Sequence, residues 1–105
     1  MMRPAYAAPM ERKMTCPAPE MSHKRSRMIV GIAAFYKRPI DRNDIIEINP
    51  EYGKQKGPVE LVFKRLVRKG YLEEVVGDRF ALTRYGYDQM IAYATWYRLT
   101  KGPVQ

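Results

Sequence analysis

The stretch from Gly57 to Leu72 constrains the fold more than any other part of the sequence. Gly57-Pro58 predicts a helix start, because the missing N–H of proline would have no partner in the first turn anyway. The apolar residues that follow have the spacing of a single buried helix face; they are Val59, Val62, Phe63, Leu66 and Val67. Gly70 suits a helix end, where one residue takes positive φ. The pattern predicts an amphipathic helix over about 57–69 that leads at once into a strand.

The outer side of this predicted helix is basic. The cations on it and on the approach to it are Lys54, Lys56, Lys64, Arg65, Arg68 and Lys69, with Glu60 as the one acid among them. The whole chain has 19 Lys and Arg against 11 Asp and Glu, a formal net charge of +8. Such an excess favours an acidic partner, of which nucleic acid is the commonest. A solvated surface that happens to be basic is the alternative interpretation.

A chain of 105 residues is long enough for one domain. Residues 1–21 hold four prolines and keep no period of 2 or 3.6, so we expect a disordered leader there and the domain over 22–102. The single cysteine, Cys16, allows no internal disulfide. No apolar run approaches the roughly 20 residues that cross a bilayer. We therefore expect a cytoplasmic, nucleoid-associated protein with no membrane segment.

The other predicted elements are helices over 22–38, 42–48 and 84–101 and a β-hairpin over 71–83. Asp41 is a suitable N-cap for the short second helix, and Thr83 for the last one. Gly77-Asp78 lies between two β-type runs and predicts a two-residue turn with positive φ at the glycine. Two short helices joined by a turn, the second of them basic, have the shape of a helix-turn-helix. The predicted class is α+β and mostly helical.

The last predicted helix, over about 84–101, is apolar nearly all round. A helix of this kind is usually buried on two sides, and in so small a chain a second copy is a natural second side. The sequence therefore predicts a homodimer through this helix, with an interface formed by Tyr85, Tyr93, Trp96, Tyr97 and Leu99. The alternative is that these aromatic rings cover the first helix of the same chain.

Residues 24–101 resemble a winged helix-turn-helix domain of the kind found in small prokaryotic, plasmid and phage transcriptional regulators. The resemblance rests on VFKRLVRKGYLEE (62–74), on GDRFALTRYG (77–86) and on the aromatic final helix. It implies a three-helix core, a two-stranded hairpin wing and an extra C-terminal helix. It also implies a dimeric regulator, of repressor type, that binds double-stranded DNA with a sequence preference.

In this family the third helix, here about 57–69, enters the major groove, and the wing, here 71–83, touches the backbone or the minor groove. The resemblance then implies DNA contacts by Lys54, Gln55, Lys56, Glu60, Leu61, Lys64, Arg65, Arg68 and Arg79. The basic residues Lys24 and Arg25 suit a phosphate-binding arm, since cations near a duplex gain by releasing its counterions.

Two other functions are open at this point. A winged helix also serves as a protein–protein interaction module, which Leu61 and the apolar last helix favour, or as a non-specific nucleic-acid-binding accessory factor. An enzyme is not expected, because His23 and Cys16 are the only residues of their types and neither has an orienting base at a recognisable spacing. For the same reason we expect no metal and no cofactor.

Overall fold

The computed structural model describes residues 15–54 and 56–101, apart from the side chains of residues 54 and 56–58. Over these residues the chain forms four α-helices and one two-stranded antiparallel hairpin. In chain order they are α1 (Lys24–Tyr36), α2 (Arg42–Ile48), α3 (Lys56–Arg68), β1 (Leu72–Val75), β2 (Arg79–Leu82) and α4 (Arg84–Lys101), with short 3-10 helices at Pro19–Ser22 and Pro50–Lys54. The predicted class, α+β and mostly helical, is confirmed, and the order is compatible with a winged-helix-like layout.

The start of α2 is fixed by two reciprocal hydrogen bonds. Asp41 Oδ1 accepts from the backbone N–H of Asp44 at 3.1 Å, and Asp44 Oδ2 accepts from the N–H of Asp41 at 2.9 Å. This capping box satisfies donors that the first turn leaves without helical partners, and it confirms the predicted cap. Arg38, just after α1, donates twice to the Asp44 carboxylate, at 2.9 and 3.1 Å, which lowers the pKa of Asp44. One short turn therefore ties α1 to α2.

The hairpin closes with the pair Val75 and Arg79, so its loop has three residues, 76–78, where the sequence predicted two. Gly77 has positive φ (82°), as predicted. Asp78 has positive φ as well (57°), a conformation that aspartate tolerates better than most residues. The two residues together reverse the chain.

The hairpin is attached to the helices on two sides. The backbones of Ile40 and Phe80 exchange two hydrogen bonds, of 2.9 and 2.8 Å, which pair the α1–α2 turn with β2 in antiparallel fashion. The Phe80 ring also stacks on Phe63 of α3, with 4.4 Å between ring centroids. Phe80 therefore links the hairpin both to the α1–α2 turn and to α3.

The buried face of α3 lies in the core of the molecule, as its spacing predicts. Val59, Val62, Phe63 and Leu66 are at most 5 % exposed, while Val67 is half-buried at the edge. Fully or almost fully buried residues from other elements complete this core; they are Met21, Ile29, Val30, Ile40, Ile45 and Leu72. α3 therefore packs against α1, against β1 of the hairpin and against the short helix that precedes it.

The N-terminal segment is ordered earlier than predicted. Ala18 and Met21 are completely buried, Glu20 is 8 % exposed, and Pro19–Ser22 form a 3-10 turn against α1 and α4. The prediction of a disordered leader over 1–21 is therefore wrong for residues 18–21. A single 3-10 turn is too short to show a helical period in the sequence, and the four prolines of this segment argue against a helix. Residues 1–14 lie outside the described part of the chain.

The start of α4 approaches β1 so closely that a glycine is required. The N–H of Gly86 donates to the Thr83 hydroxyl oxygen at 2.9 Å, which confirms the predicted cap. A Cβ atom on Gly86 would lie only 2.2 Å from the backbone oxygen of Tyr71. No larger residue fits unless the backbone moves. This contact sets the position from which α4 leaves the hairpin.

Candidate nucleic-acid interface

The outer side of α3 is a stripe formed by Leu61, Lys64 and Arg68. All three are exposed, and Leu61 is 66 % exposed although it is apolar. Their spacing of three and four residues places them on one side of the helix, opposite Val59 and Leu66 in the core. The stripe therefore presents two cations and one apolar side chain at a fixed spacing on a supported helix.

The other predicted DNA-binding residues fall into three groups. Glu60 is exposed beside the stripe, Arg79 is exposed on the hairpin, and Lys24 and Arg25 are exposed at the start of α1. The side chains of Lys54 and Lys56, and the whole of Gln55, lie outside the described residues. Arg65 is in a different environment from the one predicted.

Arg65, which was predicted to lie on the groove side, is partly exposed and bonded within the chain. Its Nε donates to Glu20 Oε2 at 2.7 Å, and its Nη2 donates to Ser26 Oγ at 3.1 Å. The Ser26 hydroxyl, which is completely buried, donates in turn to Glu20 Oε2 at 2.6 Å. The guanidinium is thus held by the N-terminal segment and α1. The partner is 45 residues away in sequence, so local spacing on α3 gave no sign of it.

The charge state of Glu20 is determined by its two partners, Ser26 and Arg65. Burial by itself would raise the pKa of Glu20, but the Ser26 hydroxyl and the Arg65 guanidinium outweigh it and hold the pKa below its ordinary value. Glu20 is therefore a carboxylate at neutral pH. Its negative charge balances Arg65, so this cation contributes little to the potential outside α3.

A groove of about 410 Å³ separates α3 from the hairpin and the start of α2. Four carboxylates line it, against two cations; the acids are Asp41, Glu60, Glu74 and Asp78, and the cations are Arg42 and Lys64. Phe63 and Phe80 lie between them. The excess of negative charge makes this groove unfavourable for phosphate, and Lys64 of the stripe lies at its edge. The sequence interpretation did not include it.

The hairpin register explains how the acids come to this groove. Glu74 pairs with Phe80, and Phe80 packs on α3, so Glu74 is on the sheet face that turns toward α3. Side chains alternate along a strand, so the neighbouring pair, Val75 and Arg79, lies on the opposite face. Arg79 is therefore directed away from the acidic groove. The alternation of side chains along the strand, combined with the pairing of Glu74 and Phe80, is the signal that places Glu74 on this face.

On the other side of α3 the surroundings are basic. The guanidinium of Arg25 lies 5.6 Å from the centroid of the Tyr52 ring, which belongs to the short helix that leads into α3. This contact brings the start of α1, with Lys24 and Arg25, next to the approach to α3. The predicted phosphate-binding arm and the predicted recognition helix are thus neighbours in space.

The aromatic residues of α4 divide into two groups. Tyr85 packs edge-on against Tyr71, with 5.4 Å between centroids, and the Tyr93 hydroxyl accepts a hydrogen bond from Arg27 at 3.2 Å. Tyr93 is therefore bonded within the chain, whereas Tyr85 contacts Tyr71 and still stays 53 % exposed. Trp96 is half-buried beside Tyr93, while Tyr97 and Leu99 stay 38 % and 67 % exposed.

Comparison of the chain with protein-family models, with curated proteins and with solved structures gave no match. Within residues 15–54 and 56–101, no group of three or more His, Cys, Asp or Glu side chains is placed to hold a metal ion. In the same residues, no helix has both the length and the apolar character to cross a membrane.

Proposed function

We propose that this chain is a winged helix that binds double-stranded DNA with a sequence preference and regulates transcription, as a repressor that occupies a promoter. The observation that carries the proposal is the stripe Leu61, Lys64 and Arg68, exposed along a helix whose opposite face is in the core. The order of three helices and a hairpin, with Ile40 bridged to Phe80 of β2, supports the winged-helix assignment.

The stripe has the chemistry that base edges in a major groove recognise. The groove accepts an α-helix, a Lys or Arg donates to guanine O6 and N7, and an apolar side chain such as Leu61 contacts a thymine methyl. α3 would thus read a short sequence through Lys64, Arg68 and Leu61, while Glu60 accepts from cytosine N4.

The two sides of α3 set the direction from which the duplex approaches. The groove toward the hairpin repels phosphate through Glu60, Glu74 and Asp78. The start of α1, with Lys24 and Arg25, attracts it. The sugar–phosphate backbone would therefore follow the α1 side of α3. Arg79, on the far face of the hairpin, would meet DNA only where the wing reaches the next minor groove.

Selection from a random duplex pool, followed by a salt titration of the enriched sequence and a scrambled duplex, tests this function. Lys64→Ala and Arg68→Ala should each lower the affinity for the enriched site. Lys101→Ala removes the same charge at the far end of α4 and should leave it unchanged. Failure to bind any duplex at low salt would contradict the proposal.

The acidic groove favours a second candidate, a winged helix that binds a protein. Leu61 is an exposed apolar residue at the rim of a groove with four carboxylates, a combination that suits a basic segment of a partner protein. This candidate predicts weak DNA binding that high salt abolishes, with no enriched sequence. The same selection experiment therefore separates the two functions.

A further inference from the structure

The side of the molecule formed by α1 and α4 is a second surface, separate from the stripe on α3. The two helices run in opposite directions, since Arg27 at the start of α1 bonds to Tyr93 and Ala34 near its end lines a groove with Tyr87. Between them lies an open groove of about 730 Å³. Its apolar lining includes Met21, Met90 and Tyr93.

The exposed side of α4 beside this groove carries a helical stripe that is mainly apolar. Tyr87 and Ile91 are each 46 % exposed, and Ala94 and Arg98 continue the stripe at spacings of three and four residues. On α1, Phe35 is 76 % exposed, the highest value among the large hydrophobic residues of the described helices. An apolar stripe of this length is typical of a protein-binding surface rather than of a solvated one.

Small residues make a close approach to this surface possible. A Cβ atom on Gly31 would have no neighbour within 4 Å, so the groove is open above it. Gly31 on α1 and Ala94 on α4 both line this groove. A helix laid along α4 would therefore contact the backbone of α1 at Gly31 without displacing a side chain.

We propose that this face binds the same face of a second copy, with the two α4 helices antiparallel across a two-fold axis near Ile91 and Ala94. In such an interface residue i contacts residue j and j contacts i. Asp88 and Arg98 are ten positions apart, on either side of this centre. The antiparallel arrangement therefore places Asp88 of each copy beside Arg98 of the other.

The charges of α4 favour this direction over the reverse one. Parallel helices would place Arg84 against Arg84 and Arg98 against Arg98, whereas antiparallel helices pair opposite charges and oppose the two helix dipoles. Asp88 already forms an ion pair with Arg84 of its own helix at 3.0 Å. This i,i+4 pair is exposed and weak, so Asp88 can also interact with Arg98 of the other copy. The antiparallel arrangement thus makes the two α4 helices complementary in charge.

This arrangement does not depend on DNA binding, and it differs from the interface predicted from sequence. Tyr93 is bonded to Arg27 of its own chain, and the proposed centre consists of Tyr87, Ile91 and Ala94 instead. Sedimentation equilibrium of the full chain over a dilution series measures the dimer directly. Ile91→Glu should raise the dimer dissociation constant by roughly 30-fold or more, as truncation of a central interface residue does.

A charge exchange tests the antiparallel direction. Asp88→Arg and Arg98→Glu should each weaken the dimer by about tenfold, because each places like charges together. The double variant should restore it. Arg84→Gln breaks the bond within the helix but leaves Asp88 facing Arg98 of the other copy, so it should have little effect. Leu61→Glu, an acid placed on an exposed leucine of α3, is the control for nonspecific effects.

A wild-type chain that stays monomeric throughout the series overturns the proposal, and so does a dimer that Ile91→Glu leaves intact. If both single exchanges weaken the dimer and the double variant does not recover, the antiparallel direction is wrong. Thermal unfolding of each variant excludes loss of fold as the cause. Leu61→Glu should lose DNA and keep the dimer, which separates this proposal from the proposed function.

Discussion

Helices α3 and α4 both present a long outer side, and the two sides differ in kind. On α3 the exposed stripe carries Lys64 and Arg68 around one leucine, while on α4 it carries Tyr87, Ile91 and Ala94. A hydrated cation is stable in water and gains further against a polyanion, whereas exposed apolar area gains only when another apolar surface covers it. The chemistry of the α3 stripe therefore matches the proposed contact with DNA, and that of the α4 stripe matches the proposed contact with a second copy.

The two helices also differ in the contact that anchors each of them. α3 is anchored to the N-terminal segment by the ion pair of Arg65 and Glu20, and the start of α4 is anchored by the close contact of Gly86 with Tyr71. Each contact can be removed separately. The substitutions below act on one helix at a time, in order of the effect expected on stability.

The largest effect is expected at the root of α4. Gly86→Ala places a Cβ atom 2.2 Å from the Tyr71 backbone oxygen, so the helix or the strand must move. We expect a loss of about 3 kcal/mol in the free energy of unfolding, the upper range for overpacking. Urea denaturation measures it.

Gly31→Ala is the matched control, because a Cβ there meets nothing within 4 Å. Alanine is a better helix former than glycine, so this variant should gain about 0.5–1 kcal/mol. Equal losses at the two positions would mean that the Gly86 contact is not what positions α4.

The next effect is expected at the attachment of α3. Arg65→Ala leaves the buried carboxylate of Glu20 without its cation, and we expect a loss of about 2 kcal/mol, less than for a fully buried pair because the arginine is partly exposed. Unfolding of Arg65→Ala, Glu20→Gln and the double variant gives the coupling between them.

The double variant should lose clearly less than the sum of the two single ones. Full additivity would contradict the ion pair. In the folded protein, Arg65→Ala should also change DNA affinity less than Lys64→Ala does, because its charge is already balanced by Glu20.

The same ion pair should make stability depend on pH. The pKa of Glu20 is held below its ordinary value in the folded chain, so the folded state binds its proton less readily than the unfolded state. The stabilisation is therefore fully present above the ordinary carboxylate pKa, about 4.3, and is lost as the pH falls through the folded value. Unfolding of the wild type and of Glu20→Gln, measured from neutral to acid pH, should converge on acidification. A constant difference between them would contradict this origin.

The smallest effect on stability is expected at the stripe itself. Lys64→Ala and Arg68→Ala remove exposed side chains and should change the free energy of unfolding by less than about 0.5 kcal/mol. Their effect on specific DNA binding should be about 1–3 kcal/mol each. Substitutions that lowered stability and affinity together would show that the stripe is part of the fold rather than a binding surface.

Local patterns were sufficient to predict much of the fold. Three kinds of local feature are confirmed, and each depends on residues within a few positions of one another. They are the buried face of α3 from Val59 to Leu66, the caps Asp41 and Thr83, and the positive φ at Gly77. Such local signals specify the backbone conformation directly, so they can be recognised without knowledge of tertiary contacts.

The surroundings of α3 depend on contacts that no local pattern contains. The pairing of Arg65 with Glu20 spans 45 residues and involves a single 3-10 turn. The acidic groove requires the hairpin register that places Glu74 opposite Phe80, and the three-residue loop that follows from it. The side chains that surround α3 can therefore be identified only from the tertiary structure. The members of the stripe, by contrast, are among the residues that the sequence resemblance implies as DNA contacts.

An NMR titration of the full chain with the selected duplex reports on the outer sides of α3 and α4 at once. The amide signals of Leu61, Lys64 and Arg68 and of the start of α1 should shift on DNA binding, while those of Glu74, Asp78 and Ile91 should not. Shifts confined to α4 or to the acidic groove, with the stripe on α3 unchanged, would contradict the proposed contact of α3 with DNA.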